Sequence, residues 1–140
     1  MKGLAELRAS ISTLIASGER EYTVAGYYRL IQSGIVDVVG IDPGRAEGIT
    51  GFLKIREMVG MEGRKFNAHC WSTAITSAAS LHLSISSPHC MLLECKPIAN
   101  PMQNELVAEP IRQHNGWISA IEKPGLGMEV LEDVVAFYRF

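Results

Sequence analysis

The stretch VDVVGIDPGRAEGIT, Val36 to Thr50, joins the two halves of a strand-turn-helix unit. The apolar run from Ile35 to Ile41 is short and rich in β-branched residues, the composition of a buried strand. It ends at an acid, Asp42. Gly44, Gly48 and Gly51 then punctuate a turn, and beyond it Phe52, Ile55 and Val59, with Leu53 and Met58, recur at helical spacing. One buried strand followed by one amphipathic helix is a βα unit.

The same alternation extends in both directions. Upstream, the run Leu14-Ile15-Ala16 precedes Val24, Tyr27, Tyr28 and Ile31, which fall at i, i+3, i+4 and i+7 on one helix face that Gly34 can terminate. Downstream, Phe66-Asn67-Ala68 predicts a third strand, and about Ser72 to Ser86 a helix that is small and apolar on nearly every side, so packed on more than one face. A fourth run, Cys90-Met91-Leu92-Leu93, ends at Glu94. The expected fold is therefore α/β, with about four βα units and a mostly parallel sheet. After Glu94 the alternation stops. Pro97 and Pro101 predict an extended excursion, Asn115-Gly116 a two-residue hairpin turn, Pro124 to Gly127 another turn, and about Leu131 to Tyr138 a last short helix. No linker or low-complexity segment divides the chain, which reads as one domain over residues 1–140, with the βα units in about 4–94 and a closing segment in 95–140.

Each of the four apolar runs ends at or just before a residue able to ionise: Glu19, Asp42, His69 and Glu94. The steps from 19 to 42, 42 to 69 and 69 to 94 are 23, 27 and 25 residues, close to one βα repeat. In a barrel of such units the C-terminal strand ends open into one mouth, so these four residues are expected to converge. Their chemistry is compatible. Histidine is the natural general base near neutral pH, and a neighbouring carboxylate holds its tautomer and stabilises the imidazolium, a part that Asp42 could play for His69. A carboxylate such as Glu19 suits a hard cation like Mg²⁺, although one carboxylate is not a metal site.

Composition narrows the function classes. With 47% hydrophobic and 20% charged residues and a formal charge of -2, the chain lacks the basic balance of a nucleic-acid binder. No apolar run approaches the ~18 residues of a membrane span, and the first residues lack the apolar core of a signal peptide, so a cytoplasmic protein is expected. Cys70, Cys90 and Cys95 are too sparse for a disulfide scaffold and are read as reduced thiols. The Cys90 to Cys95 spacing spans a strand, unlike a zinc knuckle. The glycines at 44, 48 and 51 lack the spacing and lysine of a phosphate loop.

Taken in order, Ala16-Ser17-Gly18-Glu19, Val36 to Thr50 and Ala68-His69-Cys70-Trp71-Ser72-Thr73 resemble the last strand ends of the mandelate racemase and muconate lactonizing branch of the enolase superfamily. The tail agrees, at Leu92-Leu93-Glu94, Pro101, Glu109-Pro110 and Pro124 to Gly127. The resemblance implies the C-terminal half of a (β/α)7β TIM-type barrel, followed by a hairpin and short helix. It implies an enzyme that removes the proton α to a carboxylate, with Mg²⁺ stabilising the enediolate, chemistry for which the superfamily is a standard example. By position, Glu19 matches a metal ligand, His69 the base, Asp42 its partner and Glu94 an acid that hydrogen-bonds the substrate carboxylate or enediolate. Arg45 and Trp71 match pocket positions. The His-Cys-Trp-Ser-Thr context is nearest to acid-sugar dehydratases, with racemases and cycloisomerases as the alternative within the superfamily.

The departures from the family are large. A complete barrel needs roughly 250 residues. The family's N-terminal capping domain, its lysine-bearing second strand and its first two metal ligands have no counterpart here, and Pro43 stands where a small aliphatic residue is expected. Substrate choice in such barrels lies largely in the capping loops. The chain is thus expected to be inactive alone, as a piece of a longer enzyme or as a non-catalytic half-barrel module. Exposed strand edges make a homo-oligomer the expected state.

Overall fold

The computed structural model describes residues 2–139. Four strands, β1 (Ala16–Ser17), β2 (Val38–Ile41), β3 (Lys65–Ala68) and β4 (Cys90–Leu93), form one sheet in sequential order, every pair parallel. Helices α2 (Thr23–Gln32), α3 (Gly48–Met61) and α4 (Ala74–Ile85) make the crossovers. Helix α1 (Lys2–Ser10) precedes them, with none of its residues buried and Leu4 packed against the core. It is tied down by Arg8, which pairs with Asp37 at 2.9 Å, while the other Asp37 oxygen accepts the Ile15 N–H at 2.9 Å. The architecture is that of the C-terminal half of a (β/α)7β barrel, with a closing segment after β4.

The core lies between the sheet and the three crossover helices. Val39 pairs in register with Phe66, and Ile41 with Ala68. All four are buried together with Tyr27, Leu30 and Ile31 of α2, Phe52, Ile55 and Val59 of α3 and Leu83 of α4. Phe52 and Phe66 meet edge to face, with ring centroids 5.5 Å apart. The spacing of α3 is therefore read correctly from sequence, whereas that of α2 needs one correction. Its buried face is turned toward Gly26 and Leu30, so Tyr28 is 51% exposed. The turn brings the Tyr27 hydroxyl under the end of β2, where it accepts the Asp42 N–H at 3.2 Å.

Helix α4 is apolar on several sides because two partners cover it. One is the sheet; the other is the closing segment, where Leu106 and Val107 pack on Ala74 beside Met128 and Val130. Two expectations for this segment change. Pro101 opens a short helix, α5 (Pro101–Asn104), capped by Asn100, whose side-chain oxygen accepts the Met102 N–H at 2.9 Å. Proline is favoured at that position because the first helical N–H has no intrahelical partner. The Asn115-Gly116 turn forms with positive φ at both residues, but its ladder is a single bridge between His114 and Trp117. The last helix, α6, spans Glu132–Phe137.

The turn between Asp42 and α3 packs closely against the first turn of that helix. A Cβ on Gly51 would stand 1.8 Å from the Ala46 carbonyl oxygen. That turn also carries the Asp42 backbone, since the Ala46 N–H donates to the Asp42 carbonyl at 2.8 Å. Gly51→Ala is expected to cost about 3 kcal/mol, the upper end of overpacking penalties. Urea unfolding followed by circular dichroism measures it, and a variant within experimental error of the parent would contradict the packing described.

Candidate active site

Glu19, Asp42, His69 and Glu94 all follow the C-terminal ends of parallel strands, and the ladder extends past three of those ends. The His69 N–H donates to the Ile41 carbonyl at 2.9 Å, and the Glu94 N–H to the Ala68 carbonyl at 3.0 Å. With Ile41, Ala68 and Leu93 as register partners, Asp42, His69 and Glu94 stand side by side in the next row. Glu19 is offset. Ser17 pairs with Val39, where the β1 ladder ends, and Glu19 follows the Gly18 bend beyond it, outside that row.

The three aligned residues form a connected group. His69 Nδ1 lies 2.7 Å from Asp42 Oδ2, and His69 Nε2 lies 4.0 Å from Glu94 Oε1. Asp42 Oδ1 accepts the Gly44 N–H at 2.8 Å, so both carboxylate oxygens are occupied. An ionised carboxylate only accepts hydrogen bonds, so the neutral His69 ring holds its proton on Nδ1 and has its lone pair on Nε2. Burial pushes the Tyr27 hydroxyl up to about 12, so it stays neutral beside this carboxylate. Behind His69, the Ser80 hydroxyl donates to the His69 carbonyl at 3.1 Å. The buried Cys70 thiol, pushed up to about 12 by desolvation, donates to the Glu94 carbonyl at 2.7 Å.

The walls come from loops. Trp71 stacks on His69, with centroids 5.7 Å apart and planes 19° from parallel. Arg45, Asp42, Gly44, His69, Trp71 and Ser72 line an open hollow of about 400 Å³. Arg45 is itself held: its Nη1 donates to the Tyr22 hydroxyl at 2.8 Å, and its guanidinium lies 5.0 Å from the Tyr22 ring centroid. Two contributors have no signal in the sequence spacing. Tyr22 steadies Arg45, and the Asn67 amide donates to Glu94 Oε2 at 3.0 Å. Both lie between the charged strand ends, and Asn67 is visible only once the strand is known to alternate faces.

Glu19 stands apart. Its Oε2 accepts the Gly18 N–H at 3.3 Å and its Oε1 lies 3.8 Å from Arg20, with no hydrogen bond or ion pair to the dyad. Gly18 makes the bend after β1 possible: its φ is 130°, and a Cβ there would lie 2.9 Å from Leu30 and 3.0 Å from the Gly40 carbonyl. Among the described residues no three His, Cys, Asp or Glu side chains gather as a metal site would require. Mg²⁺ takes near-octahedral oxygen coordination, and Glu19 with its own backbone does not provide it. This chain's residues therefore do not by themselves fit the metal that the resemblance implies. The cysteines are free, with Cys90 opening β4 and Cys95 two residues beyond its end. His82 bonds the closing segment through the Leu126 carbonyl at 3.4 Å, and His114 sits exposed at its turn. No helix among the described residues is long and apolar enough to cross a membrane.

The parallel βα units thus present a buried His–Asp pair and a facing glutamate at their C-terminal strand ends. The chain belongs to the enolase C-terminal domain-like family, whose sequence model matches residues 1–134, within the mandelate racemase and muconate lactonizing branch of the superfamily. It is 33% identical over 132 residues to the L-talarate/galactarate dehydratase of Salmonella typhimurium, covering 94% of this chain and 31% of that protein. It is 25% identical over 143 residues to the D-galactarolactone cycloisomerase of Agrobacterium fabrum, covering 96% of this chain and 38% of that protein. Among solved structures, a mandelate racemase/muconate lactonizing enzyme from a Jannaschia species superposes with a TM-score of 0.87 at 30% identity, over 99% of this chain and 35% of that one. The chain spans about a third of the length of the curated relatives it matches.

The tautomer assignment has a direct consequence. In Asp42→Asn the Gly44 N–H keeps the amide oxygen, which turns the new NH₂ toward His69 Nδ1. The ring must then accept at Nδ1 and carry its proton on Nε2. ¹⁵N NMR of the ring nitrogens is expected to show that exchange of tautomers, and an unchanged Nδ1–H form would contradict the geometry.

Proposed function

We propose that this chain supplies the acid–base half of an acid-sugar dehydratase site. The observation that carries the proposal is the buried Asp42–His69 pair, with Nε2 free and facing Glu94 at 4.0 Å. Nε2 of His69 takes the proton from the carbon α to the substrate carboxylate. Asp42, bonded to Nδ1, stabilises the imidazolium that forms. The same proton, returned from Nε2 to the hydroxyl on the neighbouring carbon, lets that group leave as water, and the enol left behind becomes a 2-keto acid. Glu94 holds the substrate carboxylate or its enediolate, while Arg45 and Trp71 bound the hollow. Relatives named as L-talarate/galactarate and D-galactonate dehydratases support galactarate, talarate or galactonate as substrates and water loss as the reaction, with the cycloisomerase relative supporting the alternative within the superfamily.

Proton removal is half of the chemistry. A positioned base contributes typically about 10²–10⁴-fold, and stabilisation of the developing anion is usually the larger part. Mg²⁺ belongs to the complete family enzyme, and the residues that would complete its coordination lie outside this chain's set. The 140-residue chain is expected to bind galactarate weakly at the His69 hollow and to leave its α-proton in place. NMR titration with galactarate should perturb His69, Trp71 and Arg45 first; perturbation centred elsewhere, or none, would overturn the substrate reading. Deuterium exchange at the α-carbon with Mg²⁺ present should match a His69→Asn control, and His69-dependent exchange would mean the site is complete.

A second reading, an assembly module, is favoured by one observation. The outer edges of β1 and β4 have no partner strand among the described residues, and on β4 Met91 and Leu92 are 49% and 66% exposed. Unpaired edges and apolar faces of this kind are seldom left open. We propose that the chain self-associates as a twofold dimer. Sedimentation velocity at micromolar concentration should show the dimer, and a monomer at every concentration would rule it out.

A further inference from the structure

Two residues before His69 on β3 stands Asn67. Gly40, Asn67 and Leu92 are register partners, which makes them the row beneath Asp42, His69 and Glu94 on the same face of the sheet. Asn67 Nδ2 donates to Glu94 Oε2 at 3.0 Å, and this is the one hydrogen bond to the Glu94 carboxylate among the described residues. The second carboxylate oxygen, Oε1, is the one that faces His69 Nε2 at 4.0 Å. Asn67 Oδ1 is buried and finds no donor among the described residues. A buried acceptor without a partner is unfavourable, so the amide is held in this orientation by something else. Exchanging its oxygen and nitrogen would set Oδ1 against a carboxylate oxygen, acceptor against acceptor. Glu94 alone therefore fixes the amide, and the amide fixes Glu94.

We propose that Asn67 is a positioning residue of the acid–base site: its amide holds the Glu94 carboxylate with one oxygen turned toward the His69 base. The inference rests on the reading of Glu94 as the group opposite that base. The Glu94 side chain is 39% exposed, and a glutamate at such a site has rotamer freedom to lose before it can act. The hydrogen bond from Asn67 removes that freedom while occupying only one of the two oxygens, which leaves the other for His69 or a bound acid.

The test reads the electrostatics at His69 rather than activity. The groups around the ring are Asp42 at 2.7 Å, Glu94 at 4.0 Å, Trp71 stacked on it and Arg45 across the hollow. A carboxylate held near Nε2 favours the imidazolium, and one free to swing into solvent does so less. In NMR titrations of the full chain, Glu94→Gln is expected to lower the midpoint of the His69 ring. Asn67→Leu, close in shape but without the amide, should lower it in the same direction. Asn67→Ser, too short to reach Glu94, provides the same reading if the leucine variant does not fold. Adding Asn67→Leu to Glu94→Gln should change nothing further. A midpoint unmoved in both Asn67 variants, while Glu94→Gln lowers it, overturns the role given to Asn67 and leaves the proposed function standing. A midpoint unmoved by Glu94→Gln shows that Glu94 does not face the base, which removes that part of the proposed function and the inference with it.

Discussion

Two backbone hydrogen bonds, His69 N–H to the Ile41 carbonyl and Glu94 N–H to the Ala68 carbonyl, carry the parallel ladder one residue beyond the strands. They turn three strand ends into one row. Without that continuation Asp42, His69 and Glu94 would be the first residues of three independent loops, free to diverge. With it, the side chains inherit the spacing of adjacent strands, close enough for Asp42 and His69 to share a hydrogen bond and for Glu94 to face the other ring nitrogen. The register is in turn held by the core on the opposite face, where Val39 against Phe66 and Ile41 against Ala68 leave no room for a one-residue slip. Such a slip would reverse every side chain and bury the charges. Packing on one face and chemistry on the other are thus set by the same constraint.

That constraint explains what the sequence makes legible. The crossover helices and strands are visible because burial on the helix-facing side imposes periodicity, and the four ionisable residues are visible because they follow the apolar runs. Tyr28 is misplaced by that reasoning because helical spacing alone admits several neighbouring faces, and the choice among them is made by a tertiary contact, Tyr27 to Asp42. Helix α1 is a weak signal because none of its residues is fully buried; Leu4 against the core and a long-range pair between Arg8 and Asp37 anchor it. Glu19 illustrates a subtler limit. Its spacing matches the repeat, but β1 is two residues long and its ladder ends at Ser17, before the Gly18 bend, so Glu19 is not carried into the row. Spacing identifies the strand end, and register decides the neighbours.

The separation of Glu19 from the dyad also divides the site chemically. Asp42 and His69 share a hydrogen bond of 2.7 Å, which orients the ring, and Glu94 faces its other nitrogen at 4.0 Å. Glu19 has only its own backbone and Arg20, and a single carboxylate cannot replace the hydration shell of a hard cation. In the proposed function, the base and its partner are therefore preorganised by this chain's own fold, and the coordination of a metal is not.

Preorganisation of that kind has a cost in the half that is present. An unshielded barrel interior leaves Leu92 in solvent on the same face that bears Asn67 and Glu94, and water there screens the very charges the site would use. The His69–Asp42 pair escapes because its side chains are 12% and 8% exposed, enclosed by Trp71, the Gly44 turn and Tyr27. Glu94 does not escape. Its orientation toward the base consequently depends on a directional hydrogen bond rather than on enclosure, which is the physical reason an uncharged residue such as Asn67 can matter as much to this site as the charged residues that flank it.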